Sequence, residues 1–219
     1  MFNKSGYKVV KNHIHKDVLD LMYEYYTLKS ENNELLFDDN QVQGTLVLYG
    51  DTLNDTLMKT LTPLAEKVVG EKLFPCYSFL RIYNNLDFLK PHTDRPSCEF
   101  SATIPIRYDE KWPILMCKYD FDKYGEEGHA QQVVDSKPKP KSISLSYGDV
   151  CFYEGTQMNH WRLPYKGTEC VQLFIHYVRQ DGKYKEYKYD KRPNLGMKRK
   201  DFEKTEQELK EERLESYFK

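Results

Sequence analysis

The N-terminal part of the chain carries the hydrophobic pattern of two amphipathic helices. Residues 16–29 place apolar side chains at intervals of three and four positions, which is the period of a helix with one buried face. A second segment with this spacing runs from Asn54 to Gly70; Asn54 or Asp55 can cap its first turn, and Gly70 can end it. Pro63 lies inside this segment, so we expect a kink there.

From about residue 74 onward the pattern changes to short apolar or alternating runs. Clusters of proline, glycine, asparagine and aspartate separate these runs, and this is typical of many short strands in a sandwich or barrel. We therefore expect a mainly β fold supported by the N-terminal helices. The runs are YSFLRIY (77–83), EFSATIPIRY (99–108), PILMCKY (113–119), SISLSY (142–147), DVCFYEG (149–155) and ECVQLFIHYV (169–178).

Two polar segments interrupt or follow the β-rich part. Residues 123–142 carry two glycines and two prolines, and they predict a long connection that is a candidate lid. Residues 201–218 predict a charged helix with a thin apolar stripe, packed lightly on the domain. We expect one domain over 1–219, with N-terminal helical support, a β core and a C-terminal extension that contains a helix: 1–72, 73–180 and 181–219.

Charge and hydropathy argue against several classes of function. The 219 residues include 33 lysines and arginines and 34 aspartates and glutamates, so the net charge of -1 gives no electrostatic basis for binding nucleic acid or an anionic membrane. No apolar run approaches the ~18 residues of a membrane span, and the N-terminal residues lack the apolar stretch of a signal peptide. Five widely spaced cysteines without a CxxC pair indicate reduced thiols, so we expect a cytoplasmic protein.

The stretch FLKPHTDRP places His92 and Asp94 two positions apart, just after a predicted strand. Side chains at i and i+2 of a strand point to the same side, so both can face the interior of a barrel. A third candidate, His160, follows a later strand on what we expect to be a glycine-bearing loop. Two histidines and one carboxylate on one face of a metal ion leave the opposite positions open, which is the arrangement of non-haem Fe(II) oxygenases.

Three segments resemble the Fe(II)/2-oxoglutarate-dependent dioxygenases, in particular the prolyl-4-hydroxylase-like branch and its small uncharacterised bacterial and phage members. The resemblance implies a double-stranded β-helix, which is a jelly-roll barrel of eight strands with supporting N-terminal helices. It also implies that His92, Asp94 and His160 bind Fe(II), that 2-oxoglutarate and O₂ are cosubstrates, and that ascorbate is a candidate reductant. The segments are RIYNNLDFLKPHTDRPSCEFSATIPI (81–106), WPI (112–114) and GDVCFYEGTQMNHWRLPYKGTECVQLFIHY (148–177).

The chain departs from this family at the anchor for the far carboxylate of 2-oxoglutarate. The family usually carries an arginine or lysine nine to twelve positions after the distal histidine, whereas residues 169–172 are Glu-Cys-Val-Gln. Arg162 lies two positions after His160, so on a strand it shares the face of that histidine, and a guanidinium can fork onto a carboxylate. Our candidates for the cosubstrate contacts are, in order, Arg162, Tyr83, Arg107 and Gln172.

Other polar residues near these motifs have a simpler interpretation. We expect His176, on an apolar strand, to be a hydrogen-bonded histidine of the core or a support for the metal ligands. Arg95 is expected either to touch the substrate or to cap a loop. His13, His15 and His129 have no partner in the sequence pattern, and we expect them on the surface.

The resemblance favours hydroxylation of a protein or peptide side chain such as proline, with a small molecule as the next substrate class. A nucleic-acid substrate is not favoured, because the chain is not basic. Two alternatives stay open: a cupin-like metal hydrolase or isomerase that uses no 2-oxoglutarate, and a catalytically silent jelly-roll binding module. The sequence leaves the oligomeric state open.

Overall fold

The computed structural model describes residues 5–36, 41–137 and 139–197. The charged helix predicted at 201–218 lies outside these residues. Among the described residues, no helix is both long enough and apolar enough to cross a membrane.

The two N-terminal helices form as the hydrophobic spacing predicts. Helix α1 is Lys16–Glu31 and helix α2 is Thr52–Val69, with Pro63 inside it. Gly70 ends α2 in the left-handed conformation, at a φ of 87°, which costs glycine little because it has no Cβ atom.

The predicted cap of α2 is wrong. Asp51 caps the helix by accepting a hydrogen bond from the Leu53 N–H at 2.9 Å. Asp55 is instead buried: its carboxylate accepts from the Ser78 hydroxyl and pairs with Arg192 at 2.9 Å. Both side chains of this ion pair are almost fully buried, so Asp55 ties α2 to the sheet and to the C-terminal part of the chain.

Ten strands are present in the described residues. Every predicted β run overlaps one of them, but the run 142–147 is a strand only at its first two residues. Four strands have no counterpart among those runs. Tyr7–Val10, Leu46–Tyr49 and Leu89–His92 have only four residues each, and Met158–Arg162 carries polar side chains although it is buried. The strands are β1 (Tyr7–Val10), β2 (Leu46–Tyr49), β3 (Leu73–Asn84), β4 (Leu89–His92), β5 (Phe100–Tyr108), β6 (Ile114–Lys118), β7 (Lys141–Ile143), β8 (Val150–Tyr153), β9 (Met158–Arg162) and β10 (Glu169–Arg179).

The strands form two antiparallel sheets. One has six strands in the order β1-β8-β5-β10-β3-β2, and the other has four in the order β4-β9-β6-β7. From β3 to β10 the chain passes from one sheet to the other at each step, except that β6 and β7 are neighbours in the four-stranded sheet. Residues distant in sequence are therefore brought side by side.

The two faces of the six-stranded sheet differ in chemistry. One face packs against α1 and α2 through fully buried side chains such as Met58, Leu80 and Leu173, and each stabilises the fold by about 2 kcal/mol. Because side chains alternate along a strand, Arg81 and Gln172 point away from this apolar core. These buried polar side chains lie on the face of the sheet that carries the candidate site.

The polar segment 123–142, predicted as a long connection, contains regular structure. Short helices α3 (Phe121–Tyr124) and α4 (His129–Asp135) precede β7. Polar side chains hold α4 in place: Gln132 Nε2 donates to the Lys118 carbonyl at 2.8 Å, and Asn159 Nδ2 donates to the His129 carbonyl at 2.9 Å. Hydrophobic periodicity does not detect a helix that is held in this way.

A short 3-10 segment, Lys185–Lys191, follows β10. Its last residues, Tyr189, Asp190 and Lys191, have φ values of 56°, 55° and 63°. This is the left-handed region, which costs a residue with a side chain roughly 1–2 kcal/mol. The carboxylate of Asp190 accepts from the Tyr49 hydroxyl at 2.5 Å, which ties the segment to β2.

Candidate functional site

The three predicted metal ligands converge. His92 ends β4 and pairs in register with His160 on β9, so the sheet places the two imidazole rings 4.2 Å apart, centre to centre. Asp94 follows β4, and its Oδ1 lies 3.7 Å from His92 Nε2 and 3.4 Å from His160 Nε2. His160 therefore lies on a strand, and the prediction that a loop presents it is wrong; register with a neighbouring strand fixes it more firmly than a loop does.

Each histidine is oriented by a carbonyl two residues before it. His92 Nδ1 donates to the Lys90 carbonyl at 2.8 Å, and His160 Nδ1 donates to the Met158 carbonyl at 2.9 Å. A carbonyl oxygen only accepts, so the proton of each neutral imidazole lies on Nδ1. Both Nε2 atoms then carry lone pairs, and these are the atoms that face Asp94.

The ionisation of the triad suits a metal site. Burial lowers the pKa of His92 to about 4, and the nearby His160 acts in the same direction. Burial alone would raise the pKa of Asp94, but His160 and His92 hold it below its usual range. At neutral pH His92 is therefore neutral and Asp94 is a carboxylate, which are the states that bind a metal cation.

Asp94 is held by its neighbours on the main chain and by a serine. Its N–H donates to the Gly155 carbonyl at 2.8 Å, and its Oδ2 accepts from the Ser101 hydroxyl at 2.7 Å. A Cβ atom on Gly155 would lie 2.5 Å from Asp94 Oδ2 and 2.2 Å from the Cys98 carbonyl oxygen. Only glycine fits at this position.

Two further histidines lie beside the triad. His176 is buried, its ring centre is 4.4 Å from that of Tyr77, and its Nδ1 is 2.9 Å from the Ser101 oxygen. Burial lowers its pKa to about 4. His129, expected on the surface, is instead half-buried: it stacks on Tyr119 at 4.1 Å and its Nε2 lies 3.1 Å from the hydroxyl of Thr93. The packing of α4 beside β4 explains this difference.

The triad opens into a cavity of about 460 Å³. Two arginines line it. Arg95 donates to Asp190 at 2.7 Å and its guanidinium lies over the Tyr77 ring at 4.6 Å, whereas Arg81 reaches the cavity from β3. The wall also contains His176 and five aromatic side chains, which are Tyr49, Tyr77, Phe79, Tyr153 and Phe174.

Three of the four predicted cosubstrate residues cluster around Arg81 and do not line the cavity: Tyr83, Gln172 and Arg162. Arg81 Nη1 donates to the Tyr83 hydroxyl at 2.8 Å, and Arg81 is the cross-strand partner of Gln172. Arg162 Nη2 donates to Gln172 Oε1 at 3.4 Å, and its other terminal nitrogen donates to the Trp112 carbonyl. Arg162 is 2% exposed, and its Nε has no hydrogen-bond partner among the described residues.

The fourth, Arg107, lies elsewhere. It is exposed on β5, and its guanidinium lies 5.2 Å from the centre of the Tyr23 ring of α1. Its cross-strand partner Val171 belongs to the core between the sheet and the helices. A register shift beside this pair turns Arg107 towards the helices.

Arg81 is the charged cavity residue that sequence reasoning missed. It is 3% exposed, and Arg81 Nη2 donates to Gln41 Oε1 at 2.9 Å. A signal was available: Arg81 is two positions before Tyr83, so on a strand the two share a face.

No protein-family model and no curated protein matches the chain, but solved structures match its fold. A prolyl-4-hydroxylase from Pseudomonas putida aligns with a TM-score of 0.60 at 13% identity, over 81% of this chain and 95% of that one. The alpha-ketoglutarate-dependent carbocyclase SnoK from nogalamycin biosynthesis aligns with a TM-score of 0.65 at 11% identity, over 82% of each chain. The chain has the fold of these 2-oxoglutarate-dependent enzymes.

A third structure of this fold contains a metal and the cosubstrate. HygX from Streptomyces hygroscopicus, with nickel and 2-oxoglutarate bound, aligns with a TM-score of 0.61 at 12% identity, over 82% of this chain and 85% of that one. At such identities the likeness concerns the fold, and the argument for chemistry rests on the side chains of the triad and the cavity.

Proposed function

We propose that the chain is a non-haem Fe(II)/2-oxoglutarate-dependent oxygenase. It hydroxylates a C–H bond of a protein or peptide side chain, prolyl among the candidates, or of a small molecule. The observation that carries this proposal is the convergence of His92 Nε2, His160 Nε2 and Asp94 Oδ1 at the wall of a cavity that also contains an arginine.

The donor set fits iron. Two neutral imidazoles and one carboxylate form the facial set of non-haem Fe(II) oxygenases, whereas structural zinc sites use four protein ligands. Hydrogen bonds from both Nδ1 atoms to carbonyls orient the rings before any ion binds. Bound Fe(II), with 2-oxoglutarate and O₂, supplies the oxidation that releases succinate and CO₂ and hydroxylates the substrate, while ascorbate is a candidate reductant.

We also infer that β3 to β10 form the eight strands of a double-stranded β-helix. The order β8-β5-β10-β3 within one sheet and β4-β9-β6-β7 in the other supports this topology, as does the alternation of successive strands between the sheets. In this arrangement the triad lies between the sheets: His92 ends β4, Asp94 follows it, and His160 is the middle residue of β9.

Arg81 is the proposed anchor for the far carboxylate of 2-oxoglutarate. It lines the same cavity as the triad, and a guanidinium binds a carboxylate through two parallel hydrogen bonds. Tyr83, Gln172 and Arg162 support it from behind through the hydrogen bonds and pairing described above. Three of the four residues that we predicted from sequence thus support Arg81, whereas Arg107 does not.

The test is the visible spectrum of the protein with Fe(II) and 2-oxoglutarate in the absence of oxygen. A weak charge-transfer band arises when a 2-oxo acid chelates Fe(II), so we expect a band in the wild type and none in His92→Ala. A protein that binds Fe(II) but gives no band contradicts the oxygenase and favours a cupin-like hydrolase. A protein that binds no metal favours a silent binding module.

The anchor is tested by comparing two 2-oxo acids. Arg81→Met should weaken the binding of 2-oxoglutarate on the order of 100-fold, because a buried charge-assisted pair between the guanidinium and the carboxylate is lost. Pyruvate, which lacks the far carboxylate, should bind wild type and Arg81→Met equally. Arg95→Met is the matched control at the other arginine of the cavity, and an equal loss there would contradict the assignment to Arg81.

A further inference from the structure

The hydroxyl of Ser101 lies between a proposed metal ligand and a buried histidine. Ser101 Oγ donates to Asp94 Oδ2 at 2.7 Å and lies 2.9 Å from His176 Nδ1. Ser101 and His176 are cross-strand partners on β5 and β10, so the sheet sets their spacing. Both residues are buried, which protects the two hydrogen bonds from competition by water.

The number of protons fixes the direction of both hydrogen bonds. A serine hydroxyl carries one proton, and an ionised carboxylate only accepts, so the Ser101 proton points to Asp94. The Ser101 oxygen then accepts from His176, whose Nδ1 carries its hydrogen. Donation therefore runs from His176 to Ser101 and from Ser101 to Asp94.

Building on the proposed function, we propose that this relay makes Asp94 a one-oxygen metal ligand. Ser101 and His176 are positioning residues. Ser101 bonds to Oδ2 and His176 holds Ser101, while Oδ1 faces the Nε2 atoms of His92 and His160. A carboxylate that binds through both oxygens fills one more coordination position. The relay keeps that position open for the 2-oxo acid or for O₂.

Removal of the relay leaves Asp94 Oδ2 with few other ways to gain a hydrogen-bond partner. The Asp94 side chain is only 12% exposed, and the main chain at Gly155 closes one side of it. An unmet buried acceptor costs about 1–3 kcal/mol. Rotation of the carboxylate onto the metal is the nearest way to recover a partner for Oδ2.

A second metal site does not explain this cluster. Asp94, Cys98 and His176 also offer ligand atoms within 4.8 Å of one another. However, the Ser101 hydroxyl already bonds to two of these three side chains, so an ion among them would have to displace it. A hydrogen-bonded relay is therefore the better account.

The experiment counts water on bound Mn²⁺ by proton relaxation. Mn²⁺ binds in place of Fe(II) and relaxes the water that exchanges on it. With three protein atoms bound, an octahedral ion has three positions for water, and with both Asp94 oxygens bound it has two. We expect the relaxation enhancement per bound Mn²⁺ to fall by about a third in Ser101→Ala. Ser101→Thr, which keeps the hydroxyl, should retain the wild-type value.

A second pair of variants separates the relay from packing. His176→Asn places an amide N–H near the position of Nδ1, whereas His176→Leu fills similar space without a donor. We expect His176→Asn to keep the wild-type water count and His176→Leu to shift towards the value of Ser101→Ala. If circular dichroism shows that Ser101→Ala does not fold, the comparison of His176→Asn with His176→Leu tests the relay.

Equal water counts in wild type, Ser101→Ala and His176→Leu, with all three folded and loaded, overturn the relay. Failure of the proposed function has a different signature. In that case Fe(II) and 2-oxoglutarate give no charge-transfer band with the wild type, while the Mn²⁺ water counts of the variants still differ.

Discussion

At the scale of single residues, Gly155 brings the main chain against the proposed metal ligand Asp94. We expect Gly155→Ala to weaken metal binding roughly 10–100-fold, because its Cβ would displace Asp94 and the Cys98 carbonyl. Titration with Co²⁺ measures this. Gly44→Ala is the control: at a φ of 82° with open space around it, it should lower stability without changing metal affinity. Similar metal affinities for the two variants would contradict this reading.

His176 predicts a pH dependence of the metal-free protein. Its pKa is about 4 in the folded state against 6.5 in an unfolded chain, so the unfolded state takes up the proton first. Stability is therefore lost as the pH falls from about 6.5 to about 4, by about 3 kcal/mol from this residue.

Urea unfolding at several pH values, in the presence of a chelator, measures this loss. His176→Asn cannot take up a proton and should flatten the curve within that window. His92 has a pKa lowered to a similar value and contributes a loss of the same sign, so some acid sensitivity should persist. An unchanged slope in His176→Asn would show that His176 is not held neutral.

At the scale of elements, α4 is held by side-chain hydrogen bonds rather than by an apolar face. Gln132→Ala removes the donation to the Lys118 carbonyl and should destabilise the docked helix by about 1 kcal/mol. Hydrogen exchange of the α4 amides should then quicken relative to α1. Gln131→Ala on the same helix is the control, since Gln131 is exposed and its side chain donates to Asp135 on the same helix. Equal exchange in both variants would mean that Gln132 does not hold the helix.

The difference between apolar packing and polar hydrogen bonds also explains which elements can be predicted from the sequence. Helices α1 and α2 and the long strands β3, β5 and β10 bury a repeating apolar pattern, so periodicity finds them. Helix α4 has no such pattern, and β9 carries Asn159 and two charged or ionisable residues on a buried strand. Their positions depend on partners far away in the chain, which a local pattern does not record.

The same limit applies at the site. The spacing of His92 and Asp94 identifies two of the three proposed metal ligands, because strand alternation is a local property. Arg81 is different: its place in the cavity depends on the packing of β3 beside β10 and opposite the four-stranded sheet. The relay through Ser101 likewise depends on the register between β5 and β10.

At the scale of the whole molecule, the buried pair of Arg192 and Asp55 joins the C-terminal segment to α2. Arg192 also donates to the Cys76 carbonyl at 3.0 Å. Arg192→Met should cost about 3–5 kcal/mol, since it leaves the Asp55 carboxylate buried without its cation. The double variant Arg192→Met/Asp55→Asn should recover part of this loss, as measured by urea unfolding. A double variant no more stable than the single one would indicate that packing, not charge, dominates.

The left-handed residues that follow β10 have a thermodynamic consequence. Tyr189, Asp190 and Lys191 together store several kcal/mol of backbone strain, at about 1–2 kcal/mol each. Hydrogen bonds from Arg95 and Tyr49 to Asp190 keep the segment in this strained conformation. An anion that draws Arg95 away from Asp190 therefore binds with partial release of the strain. By reciprocity, relaxation of this segment and binding of such an anion at Arg95 favour one another.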